Sequence, residues 1–561
     1  MAAAPVITNQ ASGSRNLTLP GPVWAMIYWH ADLTEHRAAK AADRGITQTT
    51  HRVTVRTMGT SVWEQGPAWV AENFDSVNPA TSEVIGTYPV QGRSEVDAIV
   101  ERAGQAASWW AGLTYQQRRT RLLAWKSHIT RYLARLAELV HTETGKPFAD
   151  AQLEILLAIV HIDWAAKNAG RVLGSRRVRS GLIAINQASR LEYQPLGVVG
   201  VIGPWNYPVF TPMGSIVYAL AAGNAVVFKP SELTPAVGSW LVNSLAEVVP
   251  EQPVLQLVTG GGETGQALAL SGVNKIAFTG SAATARKVMA ACAENLTPLV
   301  AECGGKDALL VGADADLDAA ADAAAWGALS NAGQTCVGVE RVYVVDEVYH
   351  TFLEKLAERA ATVRPGEDRE ADYGPMTMPG QIEIIERHVA DALARGGRPV
   401  VGGLASIRRP YIGPVIMADV PEESRAVSEE TFGPTLTVTR VGDLDEAVRL
   451  TNASRYALGS AVFSKNTKRG LEVARALRSG MTSINSVITF ASVPALPFGG
   501  SGDSGFGRIH GADGLREFSR AKAITRQRMR PLADLTTLRR SDKDLNRVLR
   551  LVTLVHGKRY R

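Results

Sequence analysis

Residues 196–228 read LGVVGVIGPWNYPVFTPMGSIVYALAAGNAVVF, and the fold is decided here. Residues 196–202 form a short, continuous apolar run, the pattern of a strand buried on both faces. Residues 209–222 carry helical spacing, and Gly223-Asn224 closes it, since glycine ends a helix in a left-handed turn without steric cost. Residues 225–228 are again strand-like. The rhythm continues with a helix over 235–249, strands over 255–258 and 275–278, and a helix over 282–295. Short buried strands alternating with helices predict an α/β fold whose parallel sheet is covered on both faces. Such sheets bind ligands beyond the carboxyl ends of their strands.

Outward from this core the texture changes. Helical patterns run through 109–140 and 148–169. Downstream, the Ala-rich run 317–329 reads as a helix opened by Asp316 and spent at Asn331-Ala332-Gly333, and a strand resumes over 341–345. A further set of α/β elements to about residue 510 predicts a second domain, as expected for 561 residues. Residues 1–71 lack sustained periodicity and are expected to form a flexible extension. Their apolar patch, residues 23–29, is too short and wrongly flanked for a signal peptide, and Met58 is an alternative start.

Composition excludes several classes. No apolar stretch approaches the ~20 residues of a spanning helix. Three cysteines, Cys292, Cys303 and Cys336, make neither a disulfide framework nor a zinc site, and they point to a reducing, cytoplasmic setting. The formal charge of +6 belongs to the C-terminus: residues 526–561 hold eleven Lys and Arg against three Asp, a local +8 that leaves −2 elsewhere. Nucleic-acid binding is therefore not expected.

Three segments carry chemistry. Cys336 stands in a small-residue loop, Asn331-Ala332-Gly333-Gln334-Thr335-Cys336, where a thiol can be approached by substrate. Glu302 ends an apolar strand and is followed by Cys303-Gly304-Gly305, a setting for a general base. Asn206 lies in Gly203-Pro204-Trp205-Asn206-Tyr207-Pro208, a loop stiffened by two prolines, where its amide can donate to an oxyanion. Taken singly, each reads as well as an ordinary loop.

Together these segments resemble the aldehyde dehydrogenase superfamily. The resemblance runs from about Phe74 to about Arg528. It is carried also by Lys229-Pro230-Ser231-Glu232, Phe278-Thr279-Gly280-Ser281, Gly304-Gly305-Lys306, Glu430-Thr431-Phe432-Gly433-Pro434, and Pro497-Phe498-Gly499-Gly500 with Ser504-Gly505. It implies oxidation of an aldehyde to a carboxylic acid through a thiohemiacetal and a thioester on Cys336, with Asn206 holding the oxyanion and Glu302 activating water. It implies NAD as cofactor, with NADP accepted. Trp205, Lys229, Ser231, Glu232, Gly280, Ser281, Glu430 and Phe432 would contact it, and Glu232 would disfavour a 2′-phosphate. Gly260–Gly265 mimics a pyrophosphate fingerprint, but the resemblance moves the pyrophosphate to Ser281 and leaves Gly261 and Gly265 in a turn with some cofactor contact. No metal is implied.

The same resemblance divides the chain into a Rossmann-type cofactor domain (72–176 and 196–302), an α/β catalytic domain (303–510), and a small β-flap for oligomerisation (177–195 and 511–530). A basic tail follows (531–561). A homodimer or homotetramer is expected, and a basic amphipathic helix over 545–555 would suit an anionic membrane surface. Thr211, Gly214 and Tyr218 are expected to shape the substrate tunnel, Gly214 leaving room in it. Some segments are similar to succinate-semialdehyde dehydrogenases, yet no arginine can be assigned to a substrate carboxylate. Cys303 departs from the family's usual leucine and could carry a redox role. A silent binding protein and a CoA-acylating enzyme are the competing readings; Glu302 speaks against the latter.

Overall fold

The structure, a computed structural model, describes residues 73–557 apart from positions 369 and 532. The expected N-terminal extension, its apolar patch and Met58 lie outside the described residues.

Two large sheets organise the chain. The first has six strands in the order Gly505–Phe506, Leu299–Glu302, Lys275–Thr279, Val198–Ile202, Ala225–Lys229, Leu255–Leu257. The last five are mutually parallel, and Gly505–Phe506 is an antiparallel edge. Chain direction across the sheet reverses between Val198–Ile202 and Lys275–Thr279. That reversal opens a crevice at the carboxyl ends of these two strands, just where Asn206 and Ser281 follow. Strand residues 198–202 and 225–229 are buried throughout, as their continuous apolar runs require.

The second sheet has seven strands in the order Arg398–Val401, Val415–Ala418, Thr435–Val441, Val339–Val345, Asp307–Val311, Ser460–Phe463, Ser483–Ile484. All pairs are parallel except the first. The four residues Cys303-Gly304-Gly305-Lys306 carry the chain from the first sheet to the second, from Glu302 at the end of one strand to Asp307 at the start of the next. The carboxyl ends of the first sheet therefore meet the amino ends of the second, and the site lies at this junction.

A third sheet pairs Ser519–Gln527 with Gln187–Pro195, and Gln187–Pro195 with Arg176–Val178, all antiparallel and largely exposed. Asn224 anchors its base, accepting from the backbone N–H groups of Leu196 (2.6 Å) and Gly197 (3.0 Å) and donating to the Phe518 carbonyl (2.8 Å).

Local signals explain where the expected helices begin and end. Leu317–Leu329 opens as predicted on Asp316, whose carboxylate accepts from Ala319 N–H. The pattern over 109–140 is instead broken into Arg93–Gly112, Tyr115–Arg131 and Leu133–Thr144. Thr114 and Gln117 form a reciprocal capping box there, which starts a new helix inside an apparently continuous periodicity. The C-terminal helix runs Asp542–His556, with Leu549, Leu551, Leu554 and Val555 exposed. No helix among the described residues is long and apolar enough to cross a membrane.

Candidate active site

Three distant segments converge. The thiol loop is a tight coil: Asn331 and Ala332 take left-handed φ angles of 53° and 56°, and Gly333 follows at 69°. Any side chain at Gly333 would strike the Gly433 backbone carbonyl, so glycine is required for contact as well as for φ. The loop of Asn206 is laced to this coil. Asn206 Nδ2 donates to the Gln334 carbonyl (2.9 Å), Asn331 Nδ2 donates to the Asn206 carbonyl (3.2 Å), and the Tyr207 and Thr335 hydroxyls meet at 2.9 Å. One N–H of the Asn206 amide is thereby fixed, which orients the second.

Cys336 is partly accessible and lines two cavities at once. One, about 990 Å³ with its open mouth, also takes in Glu302, Tyr207, Phe210 and Thr211. The other, about 1000 Å³ measured the same way, is bounded by Trp205, Asn206, Gly280, Ser281, Glu430 and Phe432. Thr279 and Cys303 touch both.

The electrostatics of the junction are dominated by desolvated carboxylates. Glu302 is buried, and neither of its carboxyl oxygens has a hydrogen-bond partner. Burial holds its pKa well above the ordinary carboxylate range, opposed by the charge of Arg508. The Cys336 thiol is pushed up to about 12 by burial first, then by the nearby charges of Asp307, Glu430 and Glu302. Glu430, raised to about 8 chiefly by burial, accepts from the Gly305 N–H (3.0 Å). A Cβ at Gly304 would fall on the Glu430 carboxylate, so these two positions depend on each other. Cys303 is buried, and its thiol is raised to about 12 by burial first and then by the charges of Glu302 and Glu430.

The second cavity fits a dinucleotide. It opens at the strand-order reversal, beside the N-terminus of the 13-residue helix Ala282–Glu294, where backbone N–H groups favour phosphate. Ser281 itself is the N-cap, accepting from Thr284 N–H at 3.2 Å. Trp205 and Phe432 meet edge to face, ring centroids 5.7 Å apart. The remaining cofactor candidates are not on this wall. Lys229, Ser231 and Glu232 follow the neighbouring strand Ala225–Lys229. The Lys229 ammonium donates to the Pro230 carbonyl (2.9 Å) and lies 3.8 Å from Glu232. A Cβ at Gly265 would lie 3.6 Å from Lys229 Cδ, and Gly261 caps the helix Gly262–Leu270. Glu232 and Gly265 thus stand beside Lys229, on a second wall.

Sequence reasoning missed the residues that hold the site residues in place. Lys146 donates to Glu154 (2.7 Å) and to the Asn206 carbonyl (2.7 Å), while Glu154 accepts from the Val209 and Phe210 N–H groups. Lys306 pairs with Glu340 and bonds Thr431 (3.0 Å), and Glu340 accepts from the Thr431 and Phe432 N–H groups, pinning the loop of Glu430. Glu154 on an apolar helix and Glu340 on an apolar strand were the available signal, while Lys146 and Lys306 lie in loops. The reading of Gly214 needs correction: the space beside it is filled by His510, whose Nε2 any Cβ at Gly214 would strike. Tyr218 is buried and donates to the Pro494 carbonyl (3.1 Å), whereas Thr211 does line the cavity.

Residues 68–524 match the aldehyde dehydrogenase family. The chain belongs to the aldehyde dehydrogenase family. It is 37% identical to 4,4'-diapolycopene aldehyde oxidase of Methylomonas sp over 446 residues, 79% of this chain and 84% of that one. It is 34% identical to the NADP-dependent succinate-semialdehyde dehydrogenase GabD of Escherichia coli K12, over 80% of this chain and 94% of that one. Among solved structures, PnpE in complex with nicotinamide adenine dinucleotide superposes with a TM-score of 0.78 at 31% identity, covering 83% of this chain and 96% of that one. The protein is an NAD(P)-dependent aldehyde dehydrogenase that oxidises an aldehyde to a carboxylic acid.

Proposed function

We propose that Cys336 is the nucleophile, the Asn206 amide the oxyanion donor and Glu302 the hydrolytic base of this dehydrogenase. The observation that carries this is Glu302: a buried carboxyl with two unpartnered oxygens, sharing a cavity with a nucleophilic thiol. An orphaned buried carboxyl costs stability, and a proton-transfer role accounts for it. Cys336 gives its thiol proton to water, Sγ bonds to the aldehyde carbon, and the carbonyl oxygen becomes an oxyanion held by the free N–H of Asn206. When bound in the cleft of Trp205, Ser281 and Glu430, NAD(P) supplies the two-electron acceptor and a positive ring that opposes the carboxylate field on Cys336. The oxidised adduct is a thioester. Glu302 then takes a proton from water, the oxygen adds to the acyl carbon, and the carbon–sulfur bond breaks to free the acid and Cys336. Its elevated pKa makes Glu302 a stronger base than an exposed glutamate.

NAD is the preferred cofactor, because Glu232 pairs with Lys229 and opposes a 2′-phosphate there. The outer edge of Ser519–Gln527 has no partner strand among the described residues, which supports assembly into a homodimer or homotetramer through the small sheet. The basic tail, with apolar residues exposed on Asp542–His556 and Arg547 and Arg550 beside them, favours contact with an anionic membrane surface from the cytoplasm. A panel of aldehydes assayed with NAD and with NADP, without CoA, tests the central reading. Wild type forms the reduced cofactor and Cys336→Ser does not; equal rates in the two would refute it. Light scattering that gave a monomer would remove the oligomer, and equal vesicle co-sedimentation without residues 531–561 would remove the membrane contact.

A further inference from the structure

The substrate-side cavity is built from helix faces. Asp150, Leu153, Glu154 and Leu157 line it at i, i+3, i+4 and i+7 of the helix Phe148–Leu173. Trp326, Phe210, Ile488 and Phe498 supply much of the rest.

Carboxyls outnumber basic groups within it. Lys146 is the one Lys or Arg on its wall among the described residues, and its ammonium is already spent: Glu154 lies at 2.7 Å, the Asn206 carbonyl at 2.7 Å, and the Tyr207 ring centroid at 4.2 Å. Glu154 is spent with it, and Asp150 and Glu302 remain as carboxyls whose pKa burial raises. His510, also on the wall, is buried against Phe210, Phe498 and His161, and burial holds it well below its usual pKa, so it is neutral. Among the described residues no cation on this wall is free to pair with a substrate carboxylate, and burying one beside Asp150 and Glu302 without a partner is costly.

Its mouth is apolar and exposed. Leu153 is 47% exposed and Trp326 50%, although both line the cavity. The exposed stripe continues along the same helix through Leu156 and Val160, at i+3 and i+7 from Leu153. His161 Nε2 lies 3.2 Å from the Ala491 carbonyl, which brings the loop of exposed Val493 and Leu496 beside that stripe. Large exposed side chains concentrated where a ligand must enter mark a surface made for apolar matter.

We propose that the aldehyde taken by this site is long, apolar and uncharged, its tail lying along Leu157 and Leu153 and leaving past Trp326. The proposal rests on the aldehyde-oxidising reading above and separates this chain from relatives named for semialdehyde acids. It is tested with purified full-length enzyme and NAD on straight-chain aldehydes from propanal to decanal, with succinate semialdehyde as the charged comparison. Expected is a kcat/KM rising on the order of a hundredfold across the series, since each buried methylene contributes roughly fourfold before the tail reaches water. Succinate semialdehyde falls below pentanal. Trp326→Glu, at an exposed position that does not threaten folding, lowers decanal at least tenfold more than propanal. A flat series, or succinate semialdehyde as the best substrate, overturns the substrate class and leaves the dehydrogenase intact. Absence of NADH from every aldehyde overturns the dehydrogenase reading and this one with it.

Discussion

The two cavities that meet at Cys336 are built in different ways. The cofactor cleft is made by the backbone: strand ends, the helix cap at Ser281, and the loop of Glu430 and Phe432. The substrate cavity is made by side chains on helix faces, Leu153, Leu157, Phe210 and Trp326. Where the chain itself must turn and approach a ligand, only a few residue types serve, and short strings such as Thr279-Gly280-Ser281 become informative. A helix face needs apolar side chains at the right spacing, which any core face also has. The cleft is thus written in short motifs, whereas the substrate side is written in helix-face side chains that no motif marks.

The comparison breaks if the residues at the junction serve only one side. Glu302→Gln tests this with the largest expected effect, a loss on the order of 10²- to 10⁴-fold in steady-state turnover. The first, thiol-dependent step survives, so a burst of reduced cofactor stoichiometric with active sites is followed by slow release. The pH profile carries a second signature. Glu302 must lose its proton to act, and burial has moved its pKa upward, so wild-type turnover climbs with pH through that raised pKa. The acidic limb disappears in Glu302→Gln. Loss of the burst together with turnover, or an unchanged acidic limb, would show that Glu302 is not the base.

Asn206→Ala follows, at about 3–4 kcal/mol of barrier, or two to three orders of magnitude in kcat. Only the bond from Nδ2 to Gln334 is lost structurally, because Lys146 and Asn331 hold the Asn206 backbone carbonyl, which the substitution keeps. Cofactor affinity should change by less than tenfold. An equal fall in affinity and in kcat would mean that the loop, and not the amide, had been removed.

These contrasts explain what was legible. Leu317–Leu329 could be bounded to the residue because Asp316 caps it and small residues fill it. Five strands of the first sheet could be read because they are apolar runs closed by turn residues, whereas the edge strand Gly505–Phe506 carries no such run. The break at Thr114 was hidden, since a capping box inside a periodic region changes direction without changing periodicity. Cys336, Glu302 and Asn206 lie in loops whose meaning came from their joint order along the chain. Lys146, Glu154 and Glu340 act through contacts across 55 to 91 residues of sequence, and no local pattern records such pairings.

Gly214 gives the smallest and most selective test of the comparison. The sequence reads as open space there, yet His510 presses its Nε2 against that glycine. His510 itself sits at φ 62°, buried, with His161 at a ring-centroid distance of 4.0 Å and Phe498 at 5.3 Å, so its ring has little freedom to retreat. Gly214→Ala should therefore cost about 1–3 kcal/mol by overpacking, read as a Tm lowered by a few degrees. Its KM for aldehyde should shift while its Kd for NAD does not, because Gly214 and His510 lie away from the cleft wall. His510→Ala in the same chain should recover much of the lost Tm, since the added methyl then occupies space the ring has left, and the two changes will not be additive. Additive losses would mean that the strain of Gly214→Ala is taken up elsewhere, and that the substrate side is as tolerant of its side chains as the cofactor side is strict about its backbone.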